Sequence, residues 1–331
     1  MLLYEIEKSL HDAKVIIMNQ NDKSIIYMRR CLQLAAYGKG FVAPNPMVGA
    51  VIVHNNKIIG EGFHSVYGGP HAEVQAIASV KNDKLLKKST LYVNLEPCSH
   101  YGKTPPCVDL IIEKQIPKVV IGHEDPYPEV SGKGIKKLRD AGIEVVCGVL
   151  EKECKELNKR FLTYILQQRP YIILKWAQSS DGFLDNIREE NDGKLPVKFS
   201  NSYSQILVHK MRAEESAIMV GTRTLFLDKP ALNVRYWKGN NPKKITADSK
   251  QSLKNQMISL YEQKNQSLIV EGGAKLLQSF LKENLWDEIQ IEIASFPLKS
   301  GVAAPTPIGI LQNVQKCENS VLFHYKNGYN S

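Results

Sequence analysis

Apolar and polar positions along this chain switch repeatedly between a two-residue and a helical rhythm. Tyr27-Met28-Arg29-Arg30 opens a helix that stops at Gly38-Lys39-Gly40. Val48 to Val53 then reads as a strand, Asn55-Asn56 as a turn and Lys57 to Phe63 as the hairpin partner. Residues 71–80 place Ala72, Val74, Ala76, Ile77 and Val80 at helical spacing, and Thr90 to Leu95 form an apolar strand. A helix opening at Cys107, with Pro106 at a tolerated first-turn position, comes next. After it follow a strand at 118–122, a helix at 133–141, a strand at 143–149 and a charged helix over 151–168. Strands alternating with helices in this way predict an α/β sheet covered on both faces.

Arg169-Pro170 interrupts the pattern, and a new apolar strand, Tyr171 to Ala177, begins behind it. Ser180-Asp181-Gly182 turns the chain, a helix is expected near 200–213, and a strand at 217–221 leads into Thr222-Arg223-Thr224-Leu225. Leu268-Ile269-Val270-Glu271 is a buried strand entering the Gly272-Gly273 turn and a helix, a place where exposed backbone N–H groups can cradle a phosphate. Three segments result: a polar N-terminal extension over 1–24, a first domain over 25–168 and a second over 169–331. A chain of 331 residues is long for one core and suits two domains.

Composition narrows the class. No run of about eighteen apolar residues is present and the N-terminus lacks a signal-peptide pattern, so a cytoplasmic, non-membrane protein is expected. The six cysteines, Cys31, Cys98, Cys107, Cys147, Cys154 and Cys317, show no disulfide-framework spacing. The net charge of +9 is compatible with phosphorylated small molecules and with nucleic acid. The lysines are scattered, without interleaved aromatics, so charge alone decides little.

Chemistry enters at His71-Ala72-Glu73, Pro97-Cys98 and Pro106-Cys107. One imidazole and two thiolates are three ligands for a zinc ion whose fourth position stays open, as catalytic rather than structural sites require. Glu73, two residues from the histidine, is placed to move protons. The set is that of zinc deaminases acting on nucleobases. A lone His-x-Glu occurs by chance and buried cysteines are usually packing. Here the order, the spacing and the helix starts at His71 and Cys107 bring the three ligands together.

Eight residues separate Cys98 from Cys107, more than the usual deaminase P-C-x-x-C spacing. The stretch Pro97-Cys98-Ser99-His100-Tyr101-Gly102-Lys103-Thr104-Pro105-Pro106-Cys107 resembles the corresponding loop of the bifunctional riboflavin-biosynthesis deaminase/reductase family. Asn45-Pro46-Met47-Val48-Gly49 and Gly68-Gly69-Pro70-His71-Ala72-Glu73 resemble two more of its motifs, and the likeness runs from about residue 27 to the end. It implies a cytidine-deaminase-like three-layer α/β/α domain followed by a dihydrofolate-reductase-like α/β domain. It also implies one zinc per chain on His71, Cys98 and Cys107, with Glu73 as general base and then general acid. Asn45 and His64 would orient the pyrimidine, and His100, Lys103 and Thr104 would meet the ribose phosphate.

The second half is similar to the family's NADPH-dependent reductase through Lys175-x5-Asp181-Gly182, Val220-Gly221-Thr222-x-Thr224, the 227–235 segment and Glu271-Gly272-Gly273-Ala274. By that likeness Ala177, Lys198, Thr224, Asp228 and the run Gly273, Ala274, Lys275, Leu276, Leu277, Gln278 and Ser279 would touch NADPH. Arg212, Leu232, Arg235 and Glu271 would hold the substrate, the arginines on its phosphate. Two departures stand out. Lys198 occupies the place of a tryptophan expected against the cofactor, with Phe199 beside it, and the stretch between Arg235 and Glu271 is short, without a second apolar strand after Asp248. The resemblance implies a phosphorylated pyrimidine as small-molecule substrate, no nucleic-acid partner, and a homo-oligomer formed through the reductase half. Two alternatives stand beside it: a live deaminase with a degenerate reductase, and a zinc deaminase acting on RNA or nucleosides.

Overall fold

The computed structural model describes residues 23–101, 105–127, 131–189 and 193–328. The chain divides into two compact units, residues 1–162 and 163–331. The proposed extension, apart from its last two residues, lies outside the described residues.

In the first unit, α1 (Lys23–Ala36) precedes the hairpin β1 (Gly49–His54) and β2 (Lys57–Phe63). Then come α2 (Ala72–Ala78), β3 (Thr90–Leu95), α3 (Cys107–Glu113), β4 (Lys118–His123), α4 (Lys133–Asp140), β5 (Glu144–Cys147) and α5 (Glu151–Leu157). The sheet order is β2-β1-β3-β4-β5; the hairpin side is antiparallel, and β3, β4 and β5 run parallel. Because strand side chains alternate, Ala50 and Ile52 face α2, α3 and α4, whereas Val51 and Val53 face α1 and Cys154 of α5. Three layers result, as expected.

Two helices approach the sheet closely enough to exclude side chains. A Cβ on Gly62 would stand 2.4 Å from the Ala76 nitrogen, and one on Gly60 would stand 2.5 Å from the Ala76 oxygen, so α2 lies directly on β2. A Cβ on Gly49 would meet the Cys31 carbonyl of α1 at 2.2 Å. Between these contacts, buried Asn94 and Asn158 hold the segment that follows Asn45. The Met47 N–H donates to Asn158 Oδ1 at 2.8 Å, both amides donate to the Met47 carbonyl at 3.0 Å, and the Gly49 N–H donates to Asn94 Oδ1 at 2.8 Å. The single helix expected over 151–168 is therefore two, α5 and α6 (Lys159–Gln167), because Asn158 leaves the helix to make this clamp.

The second unit carries β6 (Tyr171–Gln178), β7 (Phe183–Asp185), α7 (Ser202–Glu214), β8 (Ala217–Val220), α8 (Thr222–Asp228), β9 (Lys243–Thr246), α9 (Leu253–Glu262), β10 (Ser267–Glu271) and α10 (Ala274–Lys282). It ends with β11 (Glu288–Ala294), β12 (Val302–Ala303), β13 (Ile310–Cys317) and β14 (Ser320–Lys326). Seven strands form one sheet in the order β13-β14-β11-β6-β10-β8-β9, while β7 and β12 make a separate ribbon. From β11 to β9 the strands are parallel; β14 and β13 are antiparallel to their neighbours. The Tyr171–Leu174 run is apolar because it is covered on both faces, by α9 and α10 on one side and by Met211 of α7 on the other.

The sequence pattern places no strand at β9, β11, β13 or β14; of these, β9 and β13 lie at the sheet edges, where one-sided burial leaves little pattern. Every β13 residue except Cys317 is exposed, and β9 carries Lys243 and Lys244. Beyond Asp248 the chain forms α9, capped by Ser252, whose hydroxyl accepts the Asn255 N–H. No helix among the described residues is long and apolar enough to cross a membrane.

The glycine contacts lead to a stability prediction. Gly62→Ala is expected to destabilise the first unit by about 1–3 kcal/mol through overpacking against α2, with less zinc retained per chain. Thermal unfolding and metal analysis of the variant check this; an unchanged Tm would contradict the tight seating of α2.

Candidate functional site

Each zinc ligand expected from the sequence sits at an element boundary. His71 is the residue before α2, Cys98 follows β3 through Glu96-Pro97, and Cys107 begins α3 after Pro106. Their ligand atoms all lie within 4.8 Å of one another, and among the described residues they are the one such cluster. His71 Nδ1 is 3.5 Å from Cys98 Sγ and 3.3 Å from Cys107 Sγ, and the Cys107 N–H donates to Cys98 Sγ at 3.3 Å.

The electrostatics match a cation site. The thiol–thiol hydrogen bond lowers Cys98 to about 4 against its burial, with His71 helping, while the same bond and burial push Cys107 up. His71 is raised, first by its hydrogen bond to Cys98. A thiolate, a second sulfur that releases its proton to a metal, and an imidazole nitrogen between them are a donor set that suits zinc. Glu73 is 3% exposed and within hydrogen-bonding reach of Cys107; burial raises its carboxyl to about 7.

His64 and Asn45 meet beside this cluster. His64 is buried, its ring stands edge-on to His71 at 5.6 Å, and Nδ1 lies 3.1 Å from the Pro70 carbonyl, an acceptor. The proton therefore belongs on Nδ1, which leaves Nε2 to accept from Asn45 Nδ2 at 3.1 Å. Burial lowers the His64 pKa and keeps the ring neutral. His100 is exposed, and Lys103 and Thr104 lie outside the described residues.

Two carboxylates of this site escaped the sequence reading. Glu96, 4% exposed, accepts from four backbone N–H groups, those of Asp125, Gly132, Gly134 and Ile135, at 2.8–3.1 Å. Asp125, raised by burial, feels the charges of His100 and Cys98. The available signal was a charged residue wedged between Leu95 and Pro97 at the end of an apolar strand.

In the second unit a cavity of about 1040 Å³ opens at the C-terminal ends of β6, β8 and β10. Of the expected cofactor and substrate residues, Ala177, Thr224, Asp228, Leu232, Glu271, Gly273, Ala274, Lys275, Leu276 and Ser279 line it. Gly272 and Gly273 both have positive φ, +89° and +74°, so the turn into α10 requires residues without a side chain.

Five expected contacts stand elsewhere. Leu277 is fully buried in the core, Gln278 points to solvent, and Lys198 is exposed while Val197 and Phe199 form that wall. Arg212 lies behind the wall: Nε and Nη2 grip Glu271 at 3.1 and 2.6 Å, and Nη1 donates to the Asn233 carbonyl at 3.3 Å. Arg235 is exposed outside the wall, its guanidinium over the Tyr236 ring.

Lys175 and Arg188 also line the cavity and were not expected there as site residues. Lys175 pairs across the ladder with Glu271. Buried Arg188 donates to Asp185 at 2.7 Å and to Asp228, so one Asp228 oxygen is already engaged.

The sequence matches two family profiles: the cytidine and deoxycytidylate deaminase zinc-binding region over residues 21–123, and the RibD C-terminal domain over 170–258 and 252–329. The riboflavin biosynthesis protein RibD of Aquifex aeolicus is 39% identical over 84% of this chain and 88% of its own length. That of Actinobacillus pleuropneumoniae is 35% identical over 91% and 90%. The crystal structure of a diaminohydroxyphosphoribosylaminopyrimidine deaminase/5-amino-6-(5-phosphoribosylamino)uracil reductase from Thermotoga maritima superposes with a TM-score of 0.84. It is 35% identical and covers 92% of this chain and 99% of that one.

Glu271 gives this site a pH dependence. Burial alone would raise its carboxyl, but Lys175 and Arg212 more than offset that and hold it below its ordinary 4.5. A carboxyl depressed in the folded state stabilises above its unfolded value and loses that contribution as the pH falls through the folded one. Glu271→Gln is therefore expected to show a shallower loss of unfolding free energy than the parent between about pH 5 and about pH 3. Denaturant titrations at several pH values measure it; parallel curves would contradict the depressed carboxyl.

Proposed function

The chain belongs to the RibD family of riboflavin biosynthesis, and from that premise we propose which residues carry its two reactions. It is a bifunctional enzyme, a zinc-dependent deaminase and a reductase. The first substrate is the diaminohydroxyphosphoribosylaminopyrimidine, which loses its amine as ammonia. The second step reduces the ribosyl group to ribityl with hydride from NADPH.

The three converging ligand atoms carry the deaminase reading. His71, Cys98 and Cys107 hold the zinc; when bound, it acts as a Lewis acid and lowers the pKa of a water it holds toward neutrality. Glu73 accepts the proton of the attacking water and returns it to the departing ammonia; its burial beside the ligands favours a carboxyl that can hold the proton between the two steps. Asn45 and His64 fix the pyrimidine through their coupled hydrogen bond. His100, with Lys103 and Thr104, meets the ribose phosphate.

The cavity at the strand ends carries the reductase reading. NADPH lies along Ala177, Thr224, Asp228 and the start of α10, with Phe199 in place of the tryptophan ring. Opening the ribose ring as its carbon receives hydride leaves an oxygen that needs a proton, and Lys175 beside Glu271 supplies it. Arg212 is committed to Glu271 and Asn233, so the exposed Arg235, three residues beyond the cavity-lining Leu232, is the arginine that grips a phosphate reaching out past the wall. The open edge at β13, with Ile310, Leu311 and Val314 exposed, supports a homo-oligomer through this half.

The degenerate-reductase reading rested on Lys198, and an exposed Lys198 outside the cavity wall weighs against it. Zinc-loaded protein given the pyrimidine is expected to release ammonia and then oxidise NADPH. Ammonia without NADPH oxidation would leave a deaminase alone, and neither would overturn the substrate.

Two substitutions sharpen the assignments. Glu73→Gln is expected to cut ammonia release by at least about a thousandfold while NADPH oxidation on pre-deaminated substrate stays intact; loss of both would mean misfolding rather than lost proton transfer. Lys198→Ala should leave the KM for NADPH within about twofold, whereas Phe199→Ala should raise it about tenfold or more. The reverse order would restore Lys198 to the cofactor site.

A further inference from the structure

We infer that His209 is a positioning residue of the reductase: its Nδ1 accepts the Arg235 backbone N–H and so sets where the Arg235 guanidinium stands. This rests on the reading of Arg235 as the phosphate-binding arginine. The bond is 3.0 Å long, and His209 is 2% exposed on α7, one turn before Arg212. Residues three apart share a helix face, and this face addresses one short segment at two points. Arg212 Nη1 takes the Asn233 carbonyl at 3.3 Å, while His209 takes the Arg235 N–H.

The segment is held elsewhere too. Asn241 Oδ1 accepts the Val234 N–H at 2.7 Å, and Leu232, in the left-handed region at φ +46°, is buried beneath it. Every residue from 232 to 235 is thus tied down by burial or by a side chain reaching its backbone. Arg235 is the exposed product of that restraint, its guanidinium 5.0 Å over the Tyr236 ring and Nη1 on Asn233 Oδ1 at 2.8 Å. Tyr236 in turn packs edge-on against the His209 ring at 4.7 Å. The histidine therefore touches both the backbone of Arg235 and the aromatic platform beneath its charge.

An imidazole accepts at Nδ1 only when that nitrogen carries no proton. Burial, then the Arg212 and Arg235 charges, lower the His209 pKa against the opposing pull of Glu271, which keeps the ring neutral. The electrostatics of the site thus maintain the acceptor that the geometry uses.

The test compares KM for 5-amino-6-(5-phosphoribosylamino)uracil, for its dephosphorylated riboside and for NADPH in the parent, His209→Leu, His209→Asn and Arg235→Ala. Leucine removes the acceptor, whereas the asparagine Oδ1 stands where the imidazole Nδ1 stood. His209→Leu is expected to raise KM for the phosphorylated substrate about tenfold, leaving those for riboside and NADPH within about twofold, and His209→Asn is expected to restore most of the loss. Should the leucine variant fail to fold, His209→Gln, which also lacks an acceptor at that position, carries the same expectation. Equal losses on phosphorylated and dephosphorylated substrate, or no rescue by asparagine, would reduce His209 to packing and overturn the inference. Arg235→Ala separates the inference from its premise. If phosphate preference survives that substitution, the assignment of Arg235 falls and the inference with it; if it vanishes there but persists in His209→Leu, the inference alone falls.

Discussion

A carboxylate withdrawn from water must recover its hydrogen bonds from the protein, and Glu96 recovers four from backbone N–H groups. Its oxygens bind the end of β3 to the connection after β4 and to the first turn of α4, whose N–H groups would otherwise lack acceptors. The packing is tight: a Cβ on Gly134 would stand 2.4 Å from the Pro97 carbonyl. Cys98, two residues on, inherits this fixed position, and so does its contact with the Cys107 N–H. The metal cluster thus depends on a carboxylate that is no part of it.

The second unit uses the same device with side-chain partners. Glu271 closes β10 at the cavity floor and is gripped through both oxygens by Arg212, with Lys175 on the neighbouring strand. In each unit a strand carries a buried negative charge to its C-terminal end, where side chains diverge and a ligand can enter. The difference lies in the donors: fixed backbone groups at Glu96 hold a metal ligand still, whereas the cations around Glu271 leave ionisable groups beside the cavity.

The chemistry of the first unit was legible in the sequence because its ligands come in compact motifs at element boundaries. His71, Cys98 and Cys107 converge where the motif order placed them. Contacts inside a helix were less legible. The family likeness implicates the whole run from Gly273 to Ser279, yet each residue of a helix turns about 100° from the last. Leu277 therefore faces the core and Gln278 the solvent, while Ala274, Lys275, Leu276 and Ser279 reach the cavity wall. The family likeness implies a substrate role for both Arg212 and Arg235, but only the fold shows that one is buried in an ion pair and the other stands on an aromatic ring. The Asn158 break, the edge strands β9 and β13, and the burial of Glu96 and His209 depend on distant partners that periodicity does not register.

The two borders of the seven-stranded sheet are unlike. Among the described residues β9 exposes Lys243 and Lys244, whereas β13 exposes Ile310, Leu311 and Val314 beside the single Lys316. Unpaired strand borders invite further strands, and lysines discourage them. A sheet open on one side and guarded on the other can be matched once, border to like border, and the guarded sides then face outward. If two copies join at this border, as proposed above, growth ends at a closed pair and the hazard of endless fibres is avoided.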